Sequence, residues 1–122
     1  MISVCKKFGF CYGHKLPGYD GKCSRYHGHN ADVEVEVVRT YGRSSYDSMI
    51  MDFRDLKDIV DPILEKLDHF DLTEFFDEPP TAETICKFIS NEIRRDLPKG
   101  VDLVRIRVSE TPTSWAEWRR DQ

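Results

Sequence analysis

The chain has 122 residues, with 22 Asp and Glu against 18 Lys and Arg, a formal charge of −4 and only four histidines. That length suits a single domain, residues 1–122, with room for a core but little for a closed interior pocket, so an active site is expected to be shallow or shared between subunits. The acidic balance excludes the basic face expected of a nucleic-acid binder, while local lysines still allow an anionic small substrate.

The start, Met1-Ile2-Ser3-Val4-Cys5-Lys6-Lys7, lacks the apolar run of a signal peptide, and no segment approaches the length of a membrane span. The four cysteines, Cys5, Cys11, Cys23 and Cys86, show no CxxC pairing and no spacing of a secreted framework. Cys5 and Cys11 would lie about 20 Å apart on one strand, too far to bond each other. The expectation is a protein of the reducing cytoplasm, with no membrane and no nucleic-acid partner.

Taken in order, residues 2–14 are predicted to be a strand: Val4, Phe8, Phe10, Tyr12 and His14 fall on even positions, Lys6 being the exception, a period-2 pattern. Residues 15–26, rich in Gly, Pro and charge, form a loop. Residues 27–39 alternate again, with His27, His29, Ala31, Val33, Val35 and Val37 on one face and Asp32, Glu34 and Glu36 on the other. A metal site at the His pair would therefore be anchored to the packed side of a sheet.

Residues 45–51 are expected to form a third, weakly patterned strand. A helix is predicted over 53–67, where Phe53, Leu56, Ile59, Val60, Ile63, Leu64 and Leu67 follow 3-and-4 spacing behind a cap at Asp52. Pro62 is expected to kink or divide it. Thr81 caps a second helix running to Leu97, with Ile85, Phe88, Ile89 and Ile93 inward and Pro98 and Gly100 stopping it. The last strand, 101–111, places Val104, Ile106, Val108 and Glu110 on one face. The order ββ(β)ααβ describes an α+β domain, an antiparallel sheet with two helices packed on one face.

Two histidines at i and i+2 on a strand share a face, and His14 ends the preceding strand, which returns beside them if the connection is hairpin-like. Three neutral imidazoles suit zinc and leave a fourth position for water or substrate. The plain alternative is a turn carrying two exposed rings, against which stands His14 closing an inward-facing row. Cys23, four residues before His27, could be a fourth ligand, a base, a nucleophile or an inert surface thiol, and its spacing does not choose among them. His69 after Asp68 is adequately explained by the dipole of a helix C-terminus. Glu110 is harder to dismiss. A carboxylate among valines and an isoleucine needs a partner, and a ligand with two adjacent N–H donors would serve. Arg105 and Arg107 face the other side and are expected to pair across strands with Glu34 and Glu36.

Phe10-Cys11-Tyr12-Gly13-His14, Cys23-x-x-x-His27-Gly28-His29, Leu67-Asp68-His69, Pro80-Thr81-Ala82-Glu83 and Ser109-Glu110-Thr111 occur in the order found in the 6-pyruvoyl-tetrahydropterin synthase family. The tail Thr111-Pro112-Thr113-Ser114-Trp115-Ala116 and Met51-Asp52-Phe53 look like that family too, so the resemblance covers nearly the whole chain. Three residues between the cysteine and His-Gly-His resemble its 6-carboxy-5,6,7,8-tetrahydropterin synthase branch, which serves queuosine biosynthesis.

The resemblance implies a tunnelling fold (T-fold), in which small sheets join side by side into a β-barrel, and a homohexamer of two stacked trimers with sites at subunit interfaces. Residue by residue, it implies that His14, His27 and His29 hold Zn2+, that Cys23 is the proton acceptor, and that His69 belongs to a relay oriented by Asp68. It further implies that Glu110 anchors the amino and ring N–H groups of a pterin, and that Thr81 lies in a segment holding the ring. Lys15, Lys22 and Arg25 become candidates for steering a triphosphate. The implied reaction converts 7,8-dihydroneopterin triphosphate to 6-carboxy-5,6,7,8-tetrahydropterin with loss of acetaldehyde and triphosphate. The alternatives are a 6-pyruvoyl-tetrahydropterin synthase, which stops before side-chain cleavage, and a non-catalytic zinc-stabilised binding module. Cys11-Tyr12-Gly13 departs from the family, where small alanines are common before the first ligand.

Overall fold

Period-2 alternation builds one long antiparallel hairpin that dominates the domain. In the computed structural model, which describes residues 1–121, strand β1 (Ser3–His14) pairs with β2 (His27–Arg39) in unbroken register from Ser3↔Val38 to His14↔His27. Strand β4 (Val101–Thr111) adds to the far side of β2, and β5 (Ser114–Arg119) adds to β4, both antiparallel. A two-residue strand β3 (Phe70–Asp71) lies parallel to the end of β1, completing the order β3-β1-β2-β4-β5.

Helices α1 (Phe53–Glu65) and α2 (Ala82–Asp96) cover one face of the sheet. The Asp52 carboxylate caps α1 by accepting from the Arg54 N–H at 2.8 Å. Thr81 caps α2, its hydroxyl accepting from the Thr84 N–H at 3.2 Å. Each satisfies an orphan donor of the first turn. Val33, Val35 and Val37 meet Leu56, Val60, Ile85 and Ile89, all with no solvent exposure. Full burial of each such side chain contributes about 1.5–3 kcal/mol. The opposite face carries charge. Arg105 reaches Glu36 at 2.9 Å and Glu34 and Glu117 at 3.2 Å.

Four details differ from the sequence expectations. Residues 45–51 form no strand: Ser48 takes a left-handed φ of 73°, and both edges of β2 are already occupied by β1 and β4. Pro62 does not divide α1, because it lies on the exposed side of the helix while Ile63 and Leu64 remain buried. In β4 the register shifts opposite Glu36 and Val37. This bulge places two residues against one, so Leu103 is buried and Val104 only half-buried. Arg107 pairs with Glu117 of the unforeseen β5, at 3.0 Å, and Arg105 takes both glutamates of β2.

Candidate functional site

The hairpin register sets the site. Tyr12 stands opposite His29 and His14 opposite His27, and strand alternation sends all four side chains to the helix-covered face. Their rings crowd together, with His14–His27, His27–His29 and His14–His29 centroids 4.4, 4.9 and 5.1 Å apart. One donor atom from each histidine lies within 4.8 Å of the others.

Two backbone carbonyls orient this group. His14 Nδ1 is 2.6 Å from the Pro80 carbonyl, and His27 Nδ1 is 2.7 Å from that of Arg25. Each carbonyl accepts an Nδ1–H, which leaves Nε2 with its lone pair directed at the cluster, the usual arrangement around metal-binding histidines. Burial pushes the His14 imidazole down from its ordinary pKa, against the opposing pull of the Pro80 carbonyl and Glu110, and the neutral form is the one a metal requires.

Glu110 reaches the same place from β4. Its Oε2 lies 2.9 Å from His29 Nε2 and 3.4 Å from His14 Nε2. Neither contact has hydrogen-bond direction, so both buried Nε2 atoms are without a partner. Orphaned polar atoms of this kind cost about 1–3 kcal/mol each. Three converging imidazole nitrogens, two of them unsatisfied, fit a divalent ion such as zinc, and His14, His27 and His29 would hold it.

The remaining candidates distribute unevenly. Cys23 is exposed in a short 3-10 turn, Lys22–Ser24, its carbonyl accepting from the Leu16 N–H at 2.8 Å. It is outside the histidine donor group. Asp68 and His69 gather instead with Cys11. Asp68 Oδ1 accepts from the Cys11 N–H at 2.8 Å and Oδ2 lies 3.0 Å from His69 Nδ1. The Cys11 N–H, and then His69, hold the Asp68 carboxyl below its usual range. His69 does not simply end a helix. It has a left-handed φ of 64°, and its N–H bonds the Cys11 carbonyl at 2.6 Å.

A cleft of about 330 Å³ touches both groups, its lining including Tyr12 and His29 together with Cys11, Tyr26, His69 and Phe70. A Cβ at Gly13 would lie 1.9 Å from the Tyr26 hydroxyl, so this glycine is what lets the Tyr26 ring lie across the strand. Thr81 holds the helix cap, and its segment meets the site through the Pro80 carbonyl. Lys15, Lys22 and Arg25 are all exposed.

The sequence reading quoted Tyr12 and Pro80 within its motifs but gave neither a role in the site. Tyr12 had a legible signal, its even position in line with His14. Pro80 had none, since only the packing of α2 brings its carbonyl to β1. The Tyr12 phenol is pushed far above its usual pKa by burial and then by Glu110, and it donates to Glu110 Oε2 at 3.1 Å.

The profile of the 6-pyruvoyl tetrahydropterin synthase family matches residues 3–121. A protein of Archaeoglobus fulgidus, to which 6-carboxy-5,6,7,8-tetrahydropterin synthase activity is ascribed, is 43% identical over 111 residues, covering 91% of this chain and 90% of its own. The 6-carboxy-5,6,7,8-tetrahydropterin synthase of Haemophilus influenzae is 34% identical over 142 aligned positions, 98% of this chain and 99% of that one. Among solved structures, the 6-pyruvoyl tetrahydropterin synthase of Caenorhabditis elegans superposes with a TM-score of 0.81 at 22% identity, covering 98% and 96% of the two chains. With a matching profile along nearly its whole length and a histidine cluster in the corresponding fold, this chain belongs to the 6-pyruvoyl tetrahydropterin synthase family.

Proposed function

We propose that the protein is a zinc-dependent lyase that converts 7,8-dihydroneopterin triphosphate, with one water consumed, to 6-carboxy-5,6,7,8-tetrahydropterin, acetaldehyde and triphosphate. The observation that carries this reading is the open, three-histidine donor set with a carboxylate, Glu110, standing over it. The similarity to relatives named for that product directs the choice within the family. Bound at His14, His27 and His29, zinc would supply Lewis-acid polarisation of the substrate's side-chain hydroxyls.

The other roles belong to side chains. Cys23 takes the proton released from the adjacent carbon as a general base. His69 returns that proton, with Asp68 Oδ2 on its Nδ1 fixing the tautomer that leaves Nε2 free for exchange. Glu110 receives the amino and ring N–H donors of the pterin. Thr81 keeps the α2 terminus, and with it the Pro80 carbonyl, in place. Lys15, Lys22 and Arg25 supply positive charge for the triphosphate.

Asp68 and His69 gather with Cys11 rather than with the three histidines, which supports a site completed between subunits. The outer edge of β5 and most of the outer edge of β1 pair with no other strand among the described residues. Edges of this kind are open to pairing with another chain, and they support the homohexameric barrel. All four cysteines are free, in keeping with a cytoplasmic enzyme, and no helix of the described residues is long and apolar enough to cross a membrane.

Incubation of the zinc-loaded protein with dihydroneopterin triphosphate tests the reaction. The expected products are a carboxypterin, acetaldehyde and triphosphate. Triphosphate release without acetaldehyde would assign the chain to the pyruvoyl reaction instead.

The metal assignment has its own test. Zinc at a thousandfold excess over Kd is expected to stabilise the fold by about 4 kcal/mol, raising Tm by roughly 10 °C or more for a chain of this size. His27→Ala should abolish that shift while still folding, because His27 is only partly buried. An undiminished shift in the variant would remove the histidines as ligands.

A further inference from the structure

We infer that Tyr12 is a positioning residue for Glu110 and thereby sets the preference of the site for a ligand bearing an amino group next to a ring N–H. The inference rests on the reading of Glu110 as the pterin anchor and extends it to a residue to which the family resemblance gives no role.

The geometry is specific. The Tyr12 side chain is 3% exposed, and its hydroxyl donates to Glu110 Oε2 at 3.1 Å across 98 residues of sequence. The ring cannot swing away. It stacks on Phe10 at 5.3 Å, meets His14 edge-on at 5.1 Å and His29 at 5.5 Å. Register places it directly opposite His29 on the neighbouring strand. A side chain locked on three sides presents its hydroxyl at one point only, and a carboxylate bonded there loses rotation about its last torsion.

That restriction matters because the Tyr12 hydroxyl makes the one directed side-chain hydrogen bond to Glu110 among the described residues. Its strand register is irregular between Ser109 and Thr111, and its histidine neighbours make no directed hydrogen bond to it. A carboxylate oxygen has two lone-pair sites, so Oε2 can accept from Tyr12 and still accept from a ligand, while Oε1 remains free. The phenol thus fixes the plane in which two parallel N–H donors must approach. A ring that offers a carbonyl in place of the amino group puts oxygen against oxygen in that plane.

Tyr12→Phe tests this, since it keeps the ring and removes only the hydroxyl. The probes are pterin and lumazine, which differ at one position, amino in the first and carbonyl in the second, each titrated by fluorescence into metal-loaded protein. Tyr12→Phe is expected to weaken pterin about tenfold and to leave lumazine within about twofold, with the fold intact by circular dichroism and metal content unchanged. Equal weakening of both ligands would reduce Tyr12 to ring packing and overturn the inference, as would unchanged pterin affinity. A wild-type protein with no preference for pterin over lumazine would overturn the anchor reading of Glu110 itself, and the inference with it.

Discussion

Cys23→Ala is expected to keep the full metal content of the wild type and to lose turnover by about 10²- to 10⁴-fold, the usual contribution of a positioned general base. The reasoning begins with what the histidines already have. His14 and His27 are aimed by the Pro80 and Arg25 carbonyls, and His29 completes a donor group within 4.8 Å that excludes Cys23. Removing an exposed thiol from the Lys22–Ser24 turn disturbs none of these contacts. A binding module in which zinc only staples the loop makes the opposite forecast, since Cys23 would then be a ligand and its removal would release the ion. Metal analysis of the purified variant beside steady-state kinetics separates the two, and lost metal would overturn the base assignment. His69→Ala should resemble Cys23→Ala, and the double variant should be little worse than either. Residues acting as one relay are strongly non-additive.

The histidine cluster was legible because strand alternation needs nothing beyond residue types. His27 and His29 sit two apart in a row of valines, and His14 closes an equivalent row, so an antiparallel hairpin brings them together without knowledge of the helices. Glu110 was legible for the same reason, although β4 carries a bulge at Val104 that the alternation did not reveal. A bulge is a property of two strands, and only the shift opposite Glu36 and Val37 shows it.

What sequence missed depends on a third partner. The strand β5 begins after Thr111-Pro112-Thr113 and carries Trp115 and Trp118 on alternate sides of the Ala116-Glu117 pair, too short a pattern to stand out. It exists because β4 offers it an edge, and it then draws Arg107 away from Glu34. Strand β3 is shorter still, two residues aligned on Tyr12 and Gly13. His69 illustrates the same limit. At the end of a helical pattern it had an adequate bland account, and its left-handed backbone and bond to the Cys11 carbonyl are set by packing against β1. Residues 45–51 failed in the other direction, since both edges of β2, the strand they follow in the chain, are taken by β1 and β4.

Glu110→Gln is expected to weaken pterin binding by about 30- to 150-fold, or about 2–3 kcal/mol, the range for losing hydrogen bonds to a charged group, with metal content unchanged. Glutamine matches the length of the side chain and retains one acceptor, so the Tyr12 contact can persist. It also places an NH2 group where the second N–H of the ligand must approach, turning an acceptance into a clash of donors. The proximity of Glu110 Oε2 to His29 Nε2, 2.9 Å, supplies the competing account, in which the carboxylate is a fourth ligand. Three imidazoles and a carboxylate would close a tetrahedral ion, and closed sites are structural whereas catalytic ones keep a position open. On that account Glu110→Gln would lower metal affinity, and pterin binding would fall only as the ion was lost. Titrating pterin at saturating zinc therefore decides the matter: an anchor still shows its full loss of affinity there, whereas a ligand's effect shrinks as the ion is restored.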